Sequence, residues 1–112
     1  MTVKVRSSPF GSTTRTRVLL ALSLMSESYP RELARLLEAP LSSTQRALRS
    51  LERDGLVAAR SAGRTRIFRI NPRYFAFSDL MRYLRRLNEP EVELAQRVAA
   101  LRRRPRQTAK PL

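Results

Sequence analysis

Apolar positions along the chain fall into blocks of different period, and each period predicts a different element. Val18, Leu19, Leu22 and Met25 recur at helical spacing, with Ser12, Thr13 and Thr14 ahead of them as candidate N-caps. Ser26-Glu27-Ser28 closes this first helix, and Tyr29 forms a short extended link. Pro30 suits the first position of a second helix, where its missing N–H has no intrahelical partner to lose. Leu33, Ala34 and Leu37 give residues 30–38 one apolar face. Ala39-Pro40-Leu41 interrupts the pattern, and a third helix follows, ending near Asp54 with Gly55 as a left-handed cap. Its start has two solutions. Ser42-x-x-Gln45 has the form of a capping box, and Pro40 fits the first helical position equally well. Two helices joined by about three residues, the second closed by Gly, form the outline of a helix-turn-helix.

After Gly55 the period changes. Residues 56–61 and 66–70 read as strands around the turn Ala62-Gly63-Arg64-Thr65, and Asn71-Pro72 stops the second. Phe68 and Ile70 share a strand face and are expected to pack on the core. A two-stranded hairpin directly behind a helix-turn-helix is a wing. Beyond it, Phe77, Leu80, Leu84, Leu87, Leu94, Val98 and Leu101 follow a 3-4 heptad spacing, with Glu91 in the one missing apolar position. A proline in a helix interior costs about 3 kcal/mol, so a break is expected at residues 88–90 with Pro90 opening a new helix. Leu80, Leu84, Leu87, Leu94, Val98 and Leu101 are the expected seam of a homodimer. The predicted fold class is mainly α with a small β-hairpin wing: a winged helix-turn-helix followed by C-terminal helices for dimerisation. Residues 1–11 read as an arm, 12–74 as the winged domain, 75–103 as the dimerisation segment and 104–112 as a basic disordered tail.

Composition narrows the chemistry. A chain of 112 residues without Cys, His or Trp has no disulfide, no thiolate or imidazole metal site and no imidazole-based catalysis. Nine acids without a phosphate-binding loop give no general-base constellation, so no enzyme, no cofactor and no metal are expected. No apolar run approaches the length of a membrane span, and no secretory signal precedes the first helix, so a cytoplasmic, nucleoid-associated location is expected. The net charge of +14 is unevenly distributed. Residues 42–73 hold eight Arg against Glu52 and Asp54, and residues 102–112 carry five basic groups and no acid. Residues 74–101 are balanced. Solubility alone would not segregate charge in this way, and the expected partner is a polyanion.

On a helical wheel, Thr44, Ala47, Leu48 and Leu51 form the inner side of the third helix, while Ser42, Arg46, Arg49 and Arg53 lie together on the outer side. Gln45 and Ser50 flank that stripe. An α-helix fits the major groove, where Arg pairs with guanine and Gln with adenine. Ser42, Ser43, Gln45, Arg46 and Arg49, near the helix start, are the expected base-contact set, with Arg46 and Arg49 the best readers. Arg53 is expected at phosphate, and the wing adds Arg64 at its tip and Arg66 on its return strand. Tyr29, Tyr74, Phe75, Phe77 and Tyr83 do not form an alternating stacking platform for single strands, and are expected in packing roles.

The order of parts resembles a known family. Phe10-Gly11-Ser12 with Arg15-Thr16-Arg17-Val18-Leu19 is similar to the opening of winged-helix repressors of the ArsR-like superfamily. Glu32-Leu33-Ala34-Arg35-Leu36-Leu37 is similar to their second helix. The run Thr44-Gln45-Arg46-Ala47-Leu48-Arg49-Ser50-Leu51-Glu52-Arg53-Asp54-Gly55-Leu56-Val57 resembles their reading helix entering the wing, and Gly63-Arg64-Thr65-Arg66-Ile67-Phe68-Arg69-Ile70-Asn71 resembles the wing return. The likeness spans residues 10–74, and MarR-like proteins share much of it. It implies a sequence-specific, double-stranded DNA-binding transcriptional regulator, a repressor, working as a homodimer. The chain departs from metal-sensing members in having no Cys or His ligand. Two other readings compete: a non-specific architectural DNA-binding protein, and a winged-helix protein-interaction module.

Overall fold

In the computed structural model, the described residues are 8–103. The element order is α1 Thr13–Met25, α2 Pro30–Leu37, α3 Leu41–Arg53, β1 Val57–Ala62, β2 Thr65–Ile70, α4 Phe77–Asn88 and α5 Val92–Arg102. This is the predicted class, five helices and one antiparallel hairpin. The expected tail at residues 104–112, and all but the end of the expected arm, lie outside the described residues.

α1 is the centre of the molecule. Ser12 caps it, its hydroxyl accepting from the Arg15 N–H at 3.1 Å, and the Thr16 hydroxyl donates to the Ser12 carbonyl at 3.1 Å. The sequence stripe marked four apolar positions, yet α1 is buried on every side from Thr16 to Leu22. It touches α2, α3, α4, α5 and β2. A stripe locates one packed face; it does not register that later helices cover the other side. Burial extends to Arg17, whose guanidinium has its pKa lowered by desolvation.

α2 begins with Pro30 at its first turn and ends at Glu38 in the left-handed region (φ +53°). α3 begins at Leu41, with Pro40 in the N-cap position, so the Ser42-x-x-Gln45 capping box does not form. The Thr44 hydroxyl donates back to the Pro40 carbonyl at 3.0 Å, beside the backbone bond from the Thr44 N–H. α3 closes as predicted at Gly55 (φ +82°), through a paired backbone lock: Leu56 N–H to the Leu51 carbonyl at 2.9 Å and Gly55 N–H to the Glu52 carbonyl at 3.0 Å.

The wing is tighter than its expected four-residue turn. Ala62 pairs with Thr65, leaving Gly63-Arg64 as a two-residue loop. Gly63 has φ +64° while Arg64 does not enter the positive-φ region, the signature of a type II′ turn. The strand register places Phe68 and Ile70 inward, both buried as expected. One further contact was not visible in the sequence. Ser28 pairs with Phe68 through two backbone bonds of 3.0 and 2.7 Å, adding a short third edge at the root of the wing. Its hydroxyl donates to buried Glu32 Oε1 at 2.6 Å. At the other end of β2, Asn71 Nδ2 donates to the Gly55 carbonyl at 3.0 Å and fixes the wing to the cap of α3.

The break between α4 and α5 lies where proline predicted it, but α5 opens at Val92, not at Pro90, which sits in the intervening turn. Asn88 pins the end of α4 to α1, donating to Ser23 Oγ at 2.9 Å. The leucine stripe is used differently from its expected role as a homodimer seam. Leu80, Leu84, Leu94 and Val98 are buried in the chain's own core, and Leu87 and Leu101 pack against it. Heptad spacing states that a helix has an apolar face; here α1 covers that face within the same chain. What remains outward is Phe75 (92% exposed), Val92 (59%) and Tyr83 (46%).

Candidate nucleic-acid interface

α3 turns one face inward and one outward, as its wheel requires. Thr44, Ala47, Leu48 and Leu51 are buried against α1 and α2. Ser42, Gln45, Arg46, Arg49 and Arg53 are exposed, and Ser43 is half-buried. The edge of α3 that carries Gln45 and Arg49 faces the wing across an open cleft of about 360 Å³. Arg64 and Arg66 line its far wall, and Leu48 and Phe68 contribute to its apolar lining. The structure therefore brings Gln45, Arg49, Arg64 and Arg66 to one concavity, while Ser42, Arg46 and Arg53 lie on the exposed side of the helix.

Arg31, in the first turn of α2, lines the same cleft and was missed by the sequence reading. Its exposure next to Pro30 was legible. Its approach to the wing depends on the Ser28–Phe68 pairing, which joins positions forty residues apart.

Ion pairing divides the arginines into two groups. Arg15 Nη2 lies 2.8 Å from Asp54 Oδ2, and the same side chain donates to Ser50 Oγ and to the Phe10 carbonyl. Arg60 grips Glu27 through both carboxylate oxygens at 3.1 and 3.2 Å. Arg66 grips Glu52 at 2.7 and 3.1 Å, with its guanidinium 5.2 Å from the centre of the Phe68 ring. These hydrogen bonds, with the carboxylate's attraction, hold the Arg66 pKa above its ordinary value. Arg31, Arg46, Arg49, Arg53 and Arg64 make no ion pair with any described residue. Asp54, Glu27 and Glu52 each neutralise one arginine near α3 and the wing, and Glu38 holds Arg97 of α5, whereas the arginines of α3, Arg31 at the start of α2 and Arg64 at the wing tip carry no ion pair with a described residue, as is also true of Arg35, Arg69 and Arg73. Such a surface presents free guanidinium forks to phosphate and base edges.

Among the described residues there is no cluster of acids, His or Cys able to hold a metal ion. No described helix is long and apolar enough to cross a membrane.

Helix-turn-helix, hairpin wing and trailing helices in this order are the architecture of solved regulators. ZitR of Lactococcus lactis matches with a TM-score of 0.60 and 16% identity, over 88% of this chain and 66% of that one. The fold is a winged helix. The adhesin competence repressor AdcR of Streptococcus pyogenes matches this winged helix with a TM-score of 0.55 and 16% identity, over 82% of this chain and 75% of that chain. A MarR-family transcriptional regulator from Silicibacter pomeroyi matches with a TM-score of 0.52 and 25% identity, over 82% and 68%. The winged helix thus spans just under two thirds of the ZitR chain and somewhat more of the other two. No family model matches the sequence, and no curated protein matches it significantly.

Proposed function

We propose that this winged helix is a sequence-specific, double-stranded DNA-binding transcriptional regulator, a repressor acting as a homodimer, closer to the MarR-like side of its resemblance than to the ArsR-like one. The observation that carries this reading is that Arg46, Arg49 and Arg53 on the exposed face of α3, with Arg31 and Arg64 beside it, carry no ion pair with a described residue, while Arg15, Arg60 and Arg66 are held by acids. α3 would enter the major groove with Ser42, Ser43, Gln45, Arg46 and Arg49 toward bases, Arg46 and Arg49 the best readers, and Arg53 toward phosphate. Arg64 and the wing would meet the adjacent backbone or minor groove. The MarR-family neighbour at 25% identity supports the placement.

Homodimerisation would use the outward side of the C-terminal helices, since the leucine stripe is closed within the chain. α5 carries Glu93 at one end and Arg102 and Arg103 at the other, so two copies running antiparallel set unlike charges together.

The test is selection of random duplex DNA by the full chain at about 150–200 mM salt, where phosphate-only binding is suppressed. A pseudo-palindrome with half-sites about 10 base pairs apart is expected. On that site Arg46→Ala should cost about 1–3 kcal/mol and relax preference at one position. Binding without enrichment, regained only at low salt, would instead support an architectural protein. No binding at either salt would favour the protein-interaction module.

A further inference from the structure

Among the described residues, Arg66–Glu52 is the ion pair that joins the wing's return strand to the reading helix itself. Gln45, Arg49 and Glu52 stand at i, i+4 and i+7, which places them on one edge of α3. Arg49, Gln45 and Arg66 line the cleft between helix and wing. The acid therefore sits in line with two predicted DNA-reading side chains, beside a cleft that the unpaired Arg31, Arg49 and Arg64 also line.

We infer that Glu52 is a specificity-determining residue that acts through Arg66, its carboxylate taking the place of a DNA phosphate on the Arg66 guanidinium. This rests on the DNA-binding reading above. A guanidinium fork receives a carboxylate or a phosphate in the same two-pronged manner, and the prongs engaged by one are not open to the other. Both oxygens of Glu52 are engaged, one to each terminal nitrogen of Arg66. The side chains remain half and one-third exposed, so the pair lies where DNA phosphates would approach. Two effects act in the same direction. Arg66 is withheld from sequence-blind phosphate contact, and the wing strand is held at a fixed distance from α3. Base reading by Arg46 and Arg49 is left free. Glu52 is thus a positioning residue that lowers non-specific affinity more than specific affinity.

The experiment compares wild type, Glu52→Gln, Arg66→Ala and the double variant on a mixed-sequence duplex of about 30 base pairs, titrated between about 50 and 200 mM salt. Thermal melts of all four chains accompany it. Glu52→Gln should steepen the salt dependence by about 0.9 per subunit and tighten binding by up to roughly eightfold at 0.1 M salt, the value of one added phosphate contact. Arg66→Ala bares the Glu52 carboxylate and should weaken binding, whereas in the Glu52→Gln background it should abolish the gain and return binding to near the wild-type level. On the selected operator Glu52→Gln should gain less, so the ratio of specific to non-specific binding falls. An unchanged or shallower slope for folded Glu52→Gln would overturn the inference, leaving the pair as a structural tie. A double variant that keeps the gain of Glu52→Gln would overturn it as well, and Glu52→Ala takes the place of Glu52→Gln if that variant fails to fold. A wild-type chain that binds no duplex at any salt would overturn the DNA-binding reading itself.

Discussion

Replacing Ser28 by Ala removes a single hydroxyl at the root of the wing. The residue is 1% exposed, and its hydroxyl donates at 2.6 Å to the buried carboxylate of Glu32. Its backbone bonds to Phe68 use only the N–H and carbonyl, which alanine keeps. The substitution therefore isolates the hydroxyl–carboxylate bond. A hydrogen bond to a charged group contributes about 1.5–3 kcal/mol, and a buried carboxylate that loses a donor forfeits it without compensation from water. With a urea m-value of about 1.5 kcal/mol/M for a domain of this size, the midpoint should fall by roughly 1–2 M at unchanged slope. The same substitution in a Glu32→Ala background should have almost no effect, because its acceptor is already gone. Urea titrations of the four chains by circular dichroism complete the cycle. A midpoint shift below about 0.3 M, or an equal shift in both backgrounds, would refute the reasoning.

Two further substitutions test the core and the cap. Leu84→Ala removes a side chain with 0% exposure and should cost about 2–5 kcal/mol, measured in urea and independent of protein concentration; a penalty that varies with concentration would return Leu84 to an interface. Gly55→Ala adds a Cβ that meets nothing within 4 Å, so its cost comes from the backbone at φ +82° alone. That is about 1–2 kcal/mol, and the melting temperature should drop by several degrees; an unchanged or higher value would show the cap is not what holds that turn.

The helix-turn-helix, the wing and the break near Pro90 were legible because each rests on local chemistry. Pro30 opens α2, Gly55 closes α3, Gly63 turns the hairpin, and Pro90 cannot continue α4. The outer face of α3 was legible for the same reason, since a wheel needs only the helix. What escaped is non-local. Ser42 and Pro40 both offered a start for α3, and neither is the one found: Pro40 is extended and takes the N-cap position, so the helix opens at Leu41. Arg66 read as a free wing cation until Glu52, fourteen positions earlier, was found on it. Arg15 and Arg60 are likewise claimed by acids distant in sequence. The leucines of α4 and α5 have the same period whether they meet a second chain or their own first helix, and only the packing of α1 distinguishes the two.

That enclosure of α1 has a kinetic meaning. A helix covered on all sides offers no local route for its amides to reach water; they exchange only when the surrounding helices separate together. The N–H groups near Leu19, Leu20 and Leu22 should therefore exchange with solvent deuterium at the rate set by global opening, and serve as internal reporters of it. The wing tip at Gly63-Arg64, held only by the two-residue turn, should exchange far earlier. One labelling time course would thus separate the early-exchanging wing tip from the single buried helix against which α2, α3, α4, α5 and β2 pack.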